Sequence, residues 1–249
     1  MTKTYDLTTG SLAKHFMRLA VPAAVGMVFS TLYNVVDVFF AGMIGTDAQA
    51  GLAISFQAFF IFVTIAFGLS AAMTALVGNA IGAKKTTDAS IIAAQGIGFA
   101  IVTSVLLIVA ARFIGPHLLA IISTEGAYRT AGEAYFMILI LSLPGFIMGY
   151  GLNGILQAQG DTVSMQYALI GAFFANIGLN PLMMFGIPGI WGGLGFDGIA
   201  AATVISQTGV MVYIGFRLMR SGLLDARILN NFLPNLALYR QILAQLLPT

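Results

Sequence analysis

Six stretches of nearly unbroken apolar sequence decide most of what this chain can become. They run over Leu19–Ile44, Leu52–Gly82, Ile91–Ala111, Tyr135–Leu156, Val163–Phe185 and Gly198–Phe216. A helix needs roughly 20 apolar residues to cross the hydrocarbon core of a bilayer. Inside lipid each backbone N–H and C=O must be satisfied by the chain itself, so only helices and closed barrels cross. Barrel strands are about ten residues long and alternate polar with apolar; these segments are longer and continuously apolar. Composition agrees, with 59% hydrophobic and 8% charged residues against about 25% charged in a soluble domain. So few charges cannot cover a globular surface, and lipid must do much of the solvating. The expected fold is an all-α integral membrane protein with six spans. The second stretch is long enough to tilt strongly or to project beyond the lipid. The first is too long for a cleavable signal and five more follow it, so it reads as a retained helix.

Lys and Arg set the expected orientation. An even number of spans puts both ends on one side. That side holds Lys3, Lys14, Arg18, Lys84, Lys85, Arg217, Arg220, Arg227 and Arg240, and the other holds only Arg112 and Arg129. The positive-inside rule places the first set, and with it the amino terminus, in the cytoplasm. The net charge of +2 comes without a basic block, which argues against a nucleic-acid partner. There is no cysteine, so disulfides, thiol catalysis and Cys-ligated metals are excluded.

Within the six stretches one side chain is formally charged, Asp37. Holding a carboxylate there costs at least a few kcal/mol on insertion scales (about 2.5–3.5). One reading is a hydrogen-bonded Asp that ties helices together. The other, the default for an intramembrane acid, is a proton or ion relay. Tyr33 and Asn34 precede it by helical spacings that put them on its face, and either is within reach to hydrogen-bond it. In the fifth stretch Asn176 and Asn180 share a face, and Pro181 removes the usual donor to the Ile177 carbonyl. Amide oxygens beside a freed carbonyl suit a hard cation such as Na⁺; plain interhelical hydrogen bonding explains the same residues equally well. Thr203, Ser206 and Gln207 make the start of the sixth stretch polar. Pro22 and Pro144 are expected to kink the first and fourth helices. Gly78–Gly82 and Gly145–Gly149 are spaced for close helix approach.

Several enzyme-like signals lack their context. Gly193, Gly195 and Gly198 match a dinucleotide fingerprint, but that needs a strand before it and a βαβ unit around it. Asp197 is one residue out of register with the Gly-x-Gly-Asp of intramembrane aspartyl proteases. Arg220-Ser221-Gly222 lacks the leading glycine of a rhomboid-type serine site. His15 and His117 lie outside the six stretches with no metal-ligand spacing, and HExxH is absent. No catalytic constellation emerges, and the chain is not expected to be an enzyme.

Several segments together resemble the multidrug and toxic compound extrusion (MATE) family of secondary transporters. They are Leu19-Ala-Val-Pro22, the run from Thr31 through Asp37 to Gly42, Gly78-Asn-Ala-Ile-Gly-Ala-Lys84, Leu156-Gln-Ala-Gln-Gly-Asp161, Ala175-Asn-Ile-Gly-Leu-Asn-Pro181 and Gly198-Ile-Ala-Ala-Ala-Thr203. They fall in order over nearly the whole chain. The resemblance implies two six-helix lobes related by a pseudo-two-fold. It places residues 1–221 as the amino-terminal lobe, 222–235 as a cytoplasmic linker and 236–249 as the start of a seventh helix, the second lobe being truncated. An internal echo agrees: Leu12, Lys14, Phe16, Met17 and Pro22 align at one offset with Leu238, Arg240, Ile242, Leu243 and Pro248.

By position, the resemblance implies that Asp37 is the coupling carboxylate and that Pro22 is the hinge of its helix. Asn176, Asn180 and Thr203 match positions that help bind Na⁺ in some members, and Tyr135 falls near a tyrosine of the same network. Some members carry a second acid where this chain has Asn180, so the site here holds less negative charge. The implied activity is cation-coupled antiport, H⁺ or Na⁺ against organic cationic compounds, across the plasma membrane. No cofactor beyond the coupling ion is implied. The implied partners are the substrate, the bilayer and either the second lobe or another copy of the chain. A lipid-linked precursor flippase of the same superfamily would need basic residues lining its cavity, and none lies within the spans. A non-transporting accessory membrane protein is the remaining alternative.

Overall fold

The computed structural model of the chain describes residues 11–224 and 234–246. Eight helices follow one another: α1 Leu12–Ile44, α2 Thr46–Gly82, α3 Thr86–Ile122, α4 Ala127–Leu139, α5 Leu143–Ala158, α6 Ser164–Phe185, α7 Asp197–Met219 and α8 Leu236–Leu246. No extended strand occurs among the described residues; one isolated bridge pairs Ile187 with Trp191. Among the described residues six segments are long and apolar enough to cross a membrane, α4 and α5 together forming the fourth. The protein is therefore a multi-pass membrane protein of the helical type.

The helices overrun the expected spans. α2 and α3 each contain 37 residues, about 55 Å at 1.5 Å per residue, more than the ~30 Å hydrocarbon core. Once started, a helix continues wherever its backbone bonds can be met, in lipid or out of it. Arg112 and His117 accordingly lie on the distal part of α3, not in a loop. α2 ends in a tight corner: Lys84 adopts φ 60° and Lys85 N–H bonds the Ala80 carbonyl at 2.9 Å, the pattern that closes a helix with a left-handed residue.

The fourth span does not simply bend at Pro144. It breaks into a 3₁₀ turn over Ile140–Ser142, and Pro144 sits in the first turn of α5, where its missing N–H costs nothing. Pro181 lies inside α6, and Pro116 inside α3. Pro22 falls within α1 by backbone, but its side chain is outside the described set, and the hinge expectation is not addressed by these contacts.

α2 is the central helix, packing on α3, α4 and α5, while α6 packs on α7 and α1. One core cluster gathers Leu69, Met73, Ile147, Ile155 and Ile214. A second gathers Leu52, Phe59, Leu119, Tyr135, Phe136, Met184 and Ile199. Of the two expected glycine pairs, one makes a close contact. A Cβ on Gly145 would come within 2.8–2.9 Å of the Gln207 backbone and Cβ, so α5 and α7 touch there, whereas Gly82 has nothing within 4 Å. Large apolar side chains such as Phe39, Leu106, Phe113 and Val212 point outward, as a lipid-facing surface requires.

Of the residues expected to begin a seventh helix, Leu236–Leu246 form α8, and Ile242 is buried in the first cluster. Tyr239 meets Phe99 edge-on at 5.3 Å. Gln95 Oε1 accepts the Asn235 N–H at 2.9 Å, and the Ser90 hydroxyl donates to the Leu223 carbonyl. Residues 225–233, with Arg227, and residues 1–10, with Lys3, lie outside the described residues, as does Pro248 of the internal echo.

Candidate functional site

Asp37 lies about two turns from the end of α1 and is 0% exposed. Its carboxylate is held by three neutral donors from two other helices. Asn176 Nδ2 and Asn180 Nδ2, both on α6, donate to Oδ1 at 3.0 and 2.8 Å. Thr203 Oγ1, on α7, donates to Oδ2 at 3.2 Å. Asn180 Nδ2 also reaches Asn176 Oδ1 at 3.0 Å. Helical spacing of four puts the two amides on one face of α6, and the packing of α6 on α7 and α1 turns that face toward Asp37. All four residues are buried.

Among the described residues no cation opposes the carboxylate. The ion pairs among the described residues are Lys85–Asp88, Arg129–Glu133 and Arg217–Asp161. A carboxylate accepts about four hydrogen bonds, so the three donors leave capacity unused. Three further polar atoms around the site are buried without a hydrogen-bond partner: Tyr33 Oη, Tyr135 Oη and Asn180 Oδ1. Tyr135, wholly buried, has Asp37, Tyr33 and Thr203 as its electrostatic neighbours. Because an amide's N and O exchange places by a half-turn, Asn176 and Asn180 can present either face. With their oxygens inward the donor set becomes all-oxygen, the kind a hard cation takes. No cluster of three or more His, Cys, Asp or Glu exists among the described residues.

Neither near neighbour on α1 bonds the carboxylate. Asn34 does not bond Asp37; its Nδ2 donates to the Ser30 carbonyl one turn back, at 3.2 Å, and it lines a cavity instead. Tyr33 is buried beside the carboxylate, but its hydroxyl makes no hydrogen bond. The carboxylate takes its donors across the interface instead, from α6 and α7.

The cavity, of about 590 Å³, lies against this site. Tyr33 and Thr203 line it and also flank Asp37. The rest of its wall carries the aromatic rings of Phe56, Phe59, Phe60, Phe67, Phe146 and Tyr150, aliphatic side chains such as Leu52, Val63 and Leu169, and the amides of Gln57 and Gln207. No charged side chain lines it among the described residues. Sequence reading missed this ring set, because aromatic residues at helical spacing look the same whether they face lipid, core or cavity.

Two other features were missed. Phe196, just before α7, stacks on Tyr135 with centroids 4.9 Å apart. Asp161, between α5 and α6, accepts the Ser164 hydroxyl at 2.6 Å, the Ser164 N–H at 3.0 Å and Arg217 Nη2 at 2.9 Å. Of the glycines matching the dinucleotide fingerprint, Gly193 and Gly195 fall in the α6–α7 connection and Gly198 in the first turn of α7, with no βαβ unit among the described residues.

A family model described as MatE matches residues 22–182. The chain is 26% identical over 209 residues to the probable multidrug resistance protein NorM of Thermotoga maritima, covering 83% of this chain and 45% of that one. It is 24% identical over 235 residues to an FAD transporter of Shewanella oneidensis, covering 90% and 51%. The crystal structure of MATE in complex with MaL6 superposes with a TM-score of 0.80 at 23% identity, over 94% of this chain and 51% of that one. The chain thus spans about half the length of the curated relatives it matches.

Proposed function

The chain belongs to the MatE family, and on that premise we propose that it forms one six-helix lobe of a secondary active efflux transporter. The transporter exchanges H⁺ or Na⁺ for organic, chiefly cationic, compounds. The observation that carries this reading is Asp37, fully buried with no ion-pair partner among the described residues and sharing Tyr33 and Thr203 with a cavity rich in aromatic rings. A carboxylate so placed gains most by taking up a positive ion. Loading it removes a buried negative charge, an event large enough to bias a two-state helix arrangement. The ion then favours whichever conformation holds the loaded site better.

The coupling ion is cargo in this scheme. Asp37, Asn176, Asn180 and Thr203 would hold Na⁺ through oxygens, or Asp37 would hold a proton with the amides as donors. Aromatic faces attract organic cations, and the wall bears no basic group to hold an anion. That argues against both an anionic lipid-linked precursor and an FAD-like cargo. A second lobe or a second copy supplies the other wall of the cavity, in the manner of rocking repeats about a midplane site. The site of action is the plasma membrane, with the amino terminus, the Lys84–Lys85 corner and the end of α7 cytoplasmic.

The test is the complete transporter in sealed vesicles, loaded with a cationic dye and given a H⁺ or Na⁺ gradient. Gradient-driven dye movement is expected; none with either ion overturns the reading. Orientation is checked separately. Lys85→Cys is the sole thiol in this cysteine-free chain, and labelling it with an impermeant reagent from outside the cell would reverse the topology.

A further inference from the structure

The connection between α6 and α7 is not an ordinary aqueous loop. Residues 186–196 contain no charged side chain and hold the single tryptophan of the chain, Trp191. They fold into a tight hairpin. Ile187 N–H bonds the Trp191 carbonyl at 3.0 Å, and Trp191 N–H returns to the Ile187 carbonyl at 3.1 Å. The base is fastened to the end of α6 by Leu194 N–H to the Met183 carbonyl at 2.8 Å and Gly195 N–H to the Met184 carbonyl at 3.0 Å. Gly186 and Gly193 adopt φ 73° and 74°, and a Cβ on either would collide with backbone, of Trp191 and Met184 respectively. The hairpin is therefore a stiff unit.

Several of its apolar side chains face away from the protein, while Trp191 is half-buried and Phe196 turns inward to stack on Tyr135. Ile190 is 77% exposed and Leu194 50%. This surface continues that of α6, where Phe185 is 57% exposed and Phe174 and Ile177 also point outward. A stiff, uncharged tip with exposed branched residues gains nothing from water. It sits where a membrane span ends, at the depth where tryptophan is enriched for its apolar ring and polar N–H.

We propose that the α6–α7 hairpin docks into the bilayer interface through Ile190, Trp191 and Leu194, and anchors the adjoining ends of α6 and α7 against the lipid. The occupant of this surface is lipid, chosen by its continuity with the lipid-facing side of α6 and by its lack of charge. The consequence reaches the Asp37 site, because α6 carries Asn176 and Asn180 and α7 carries Thr203. An anchor that fixes the ends of both helices holds the donors in register. This inference depends on the membrane fold and not on transport, so a failed transport assay leaves it intact.

Trp191 makes the test direct, since all tryptophan emission of the chain arises from it. The 249-residue chain is placed in phosphatidylcholine vesicles with brominated acyl chains, and separately in unbrominated vesicles with iodide added. Strong quenching by brominated lipid and weak quenching by iodide are expected. Quenching by iodide alone would put the hairpin in water and overturn the proposal. Quenching by neither, at low protein density, would mean that protein covers the tip and would overturn it equally. Ile190→Asp is expected to abolish the brominated-lipid quenching while the helical signal stays. If that variant does not insert, Leu194→Asn is read in its place. Quenching as strong as wild type in an inserted variant would also sink the proposal.

Discussion

Asp37 and Asp161 are the same side chain in opposite settings. Asp161 sits at the ends of helices, where a guanidinium, a hydroxyl and two backbone amides converge on it. Burial pushes its carboxyl up, but the hydrogen bonds of Ser164 and Arg217, then of the Ser164 and Val163 amides, outweigh it. They hold it below the usual carboxylate range. Such a group stays charged and joins the α5–α6 corner to the end of α7. Asp37 is buried with neutral donors only and is flanked by hydroxyls that have no partner. One site is satisfied and static; the other is left short of positive charge. The difference separates a structural carboxylate from one that can do work by changing its load.

The largest effect is expected from Asp37→Asn in the complete transporter. The shape is kept and the charge fixed at zero, so the protein should reach the membrane and lose ion-driven efflux, while Asp37→Glu keeps part of it. Wild-type pH and Na⁺ dependence of dye efflux in Asp37→Asn would erase the contrast with Asp161.

Next comes the double replacement of Asn176 and Asn180 by Leu. It should remove any Na⁺-dependent change in helix arrangement, followed by spin or fluorophore distances, while insertion is retained. A wild-type Na⁺ response would end the sodium reading and leave proton coupling by Asp37 alone.

Asp161→Asn should act on stability instead. Loss of charged hydrogen bonds of this kind costs about 1–3 kcal/mol, visible as a lower unfolding midpoint in detergent, with the ion dependence of efflux unchanged. The pH profile sharpens this. The folded-state value of Asp161 lies below that of the unfolded chain, near ~3.9 for a free aspartate. Its contribution is therefore complete above that value and is lost as pH falls through the folded one. Asp161→Asn should flatten that acid limb of the stability curve; an unchanged acid limb would show that the Arg217 contact carries no weight.

The smallest effect is expected from Asn34→Ala. Asn34 bonds its own helix and faces the cavity, so the variant should shift substrate preference slightly and leave the ion dependence unmoved. A shifted ion dependence would mean that Asn34 reaches Asp37 in some other conformation.

The span count, the helical class and the isolation of Asp37 were all readable from the chain. They follow from local quantities: the length of an apolar run, the thickness of a bilayer and the rarity of charge inside it. Helix ends were less readable, because α3 carries Arg112 and His117 on past the apolar run. The partners of Asp37 belong to a different order of information. Tyr33 and Asn34 were the near neighbours that spacing offered, and neither bonds it. Its donors Asn176, Asn180 and Thr203 come from 139, 143 and 166 residues away; family resemblance pointed to them, and spacing alone did not. The Asp161–Arg217 contact, 56 residues apart, had no local sign at all. Hydrophobicity tells each segment whether to enter the membrane. Which faces then meet is decided by how α6 and α7 pack on α1, and a hydrogen bond forms only where that packing aims a donor.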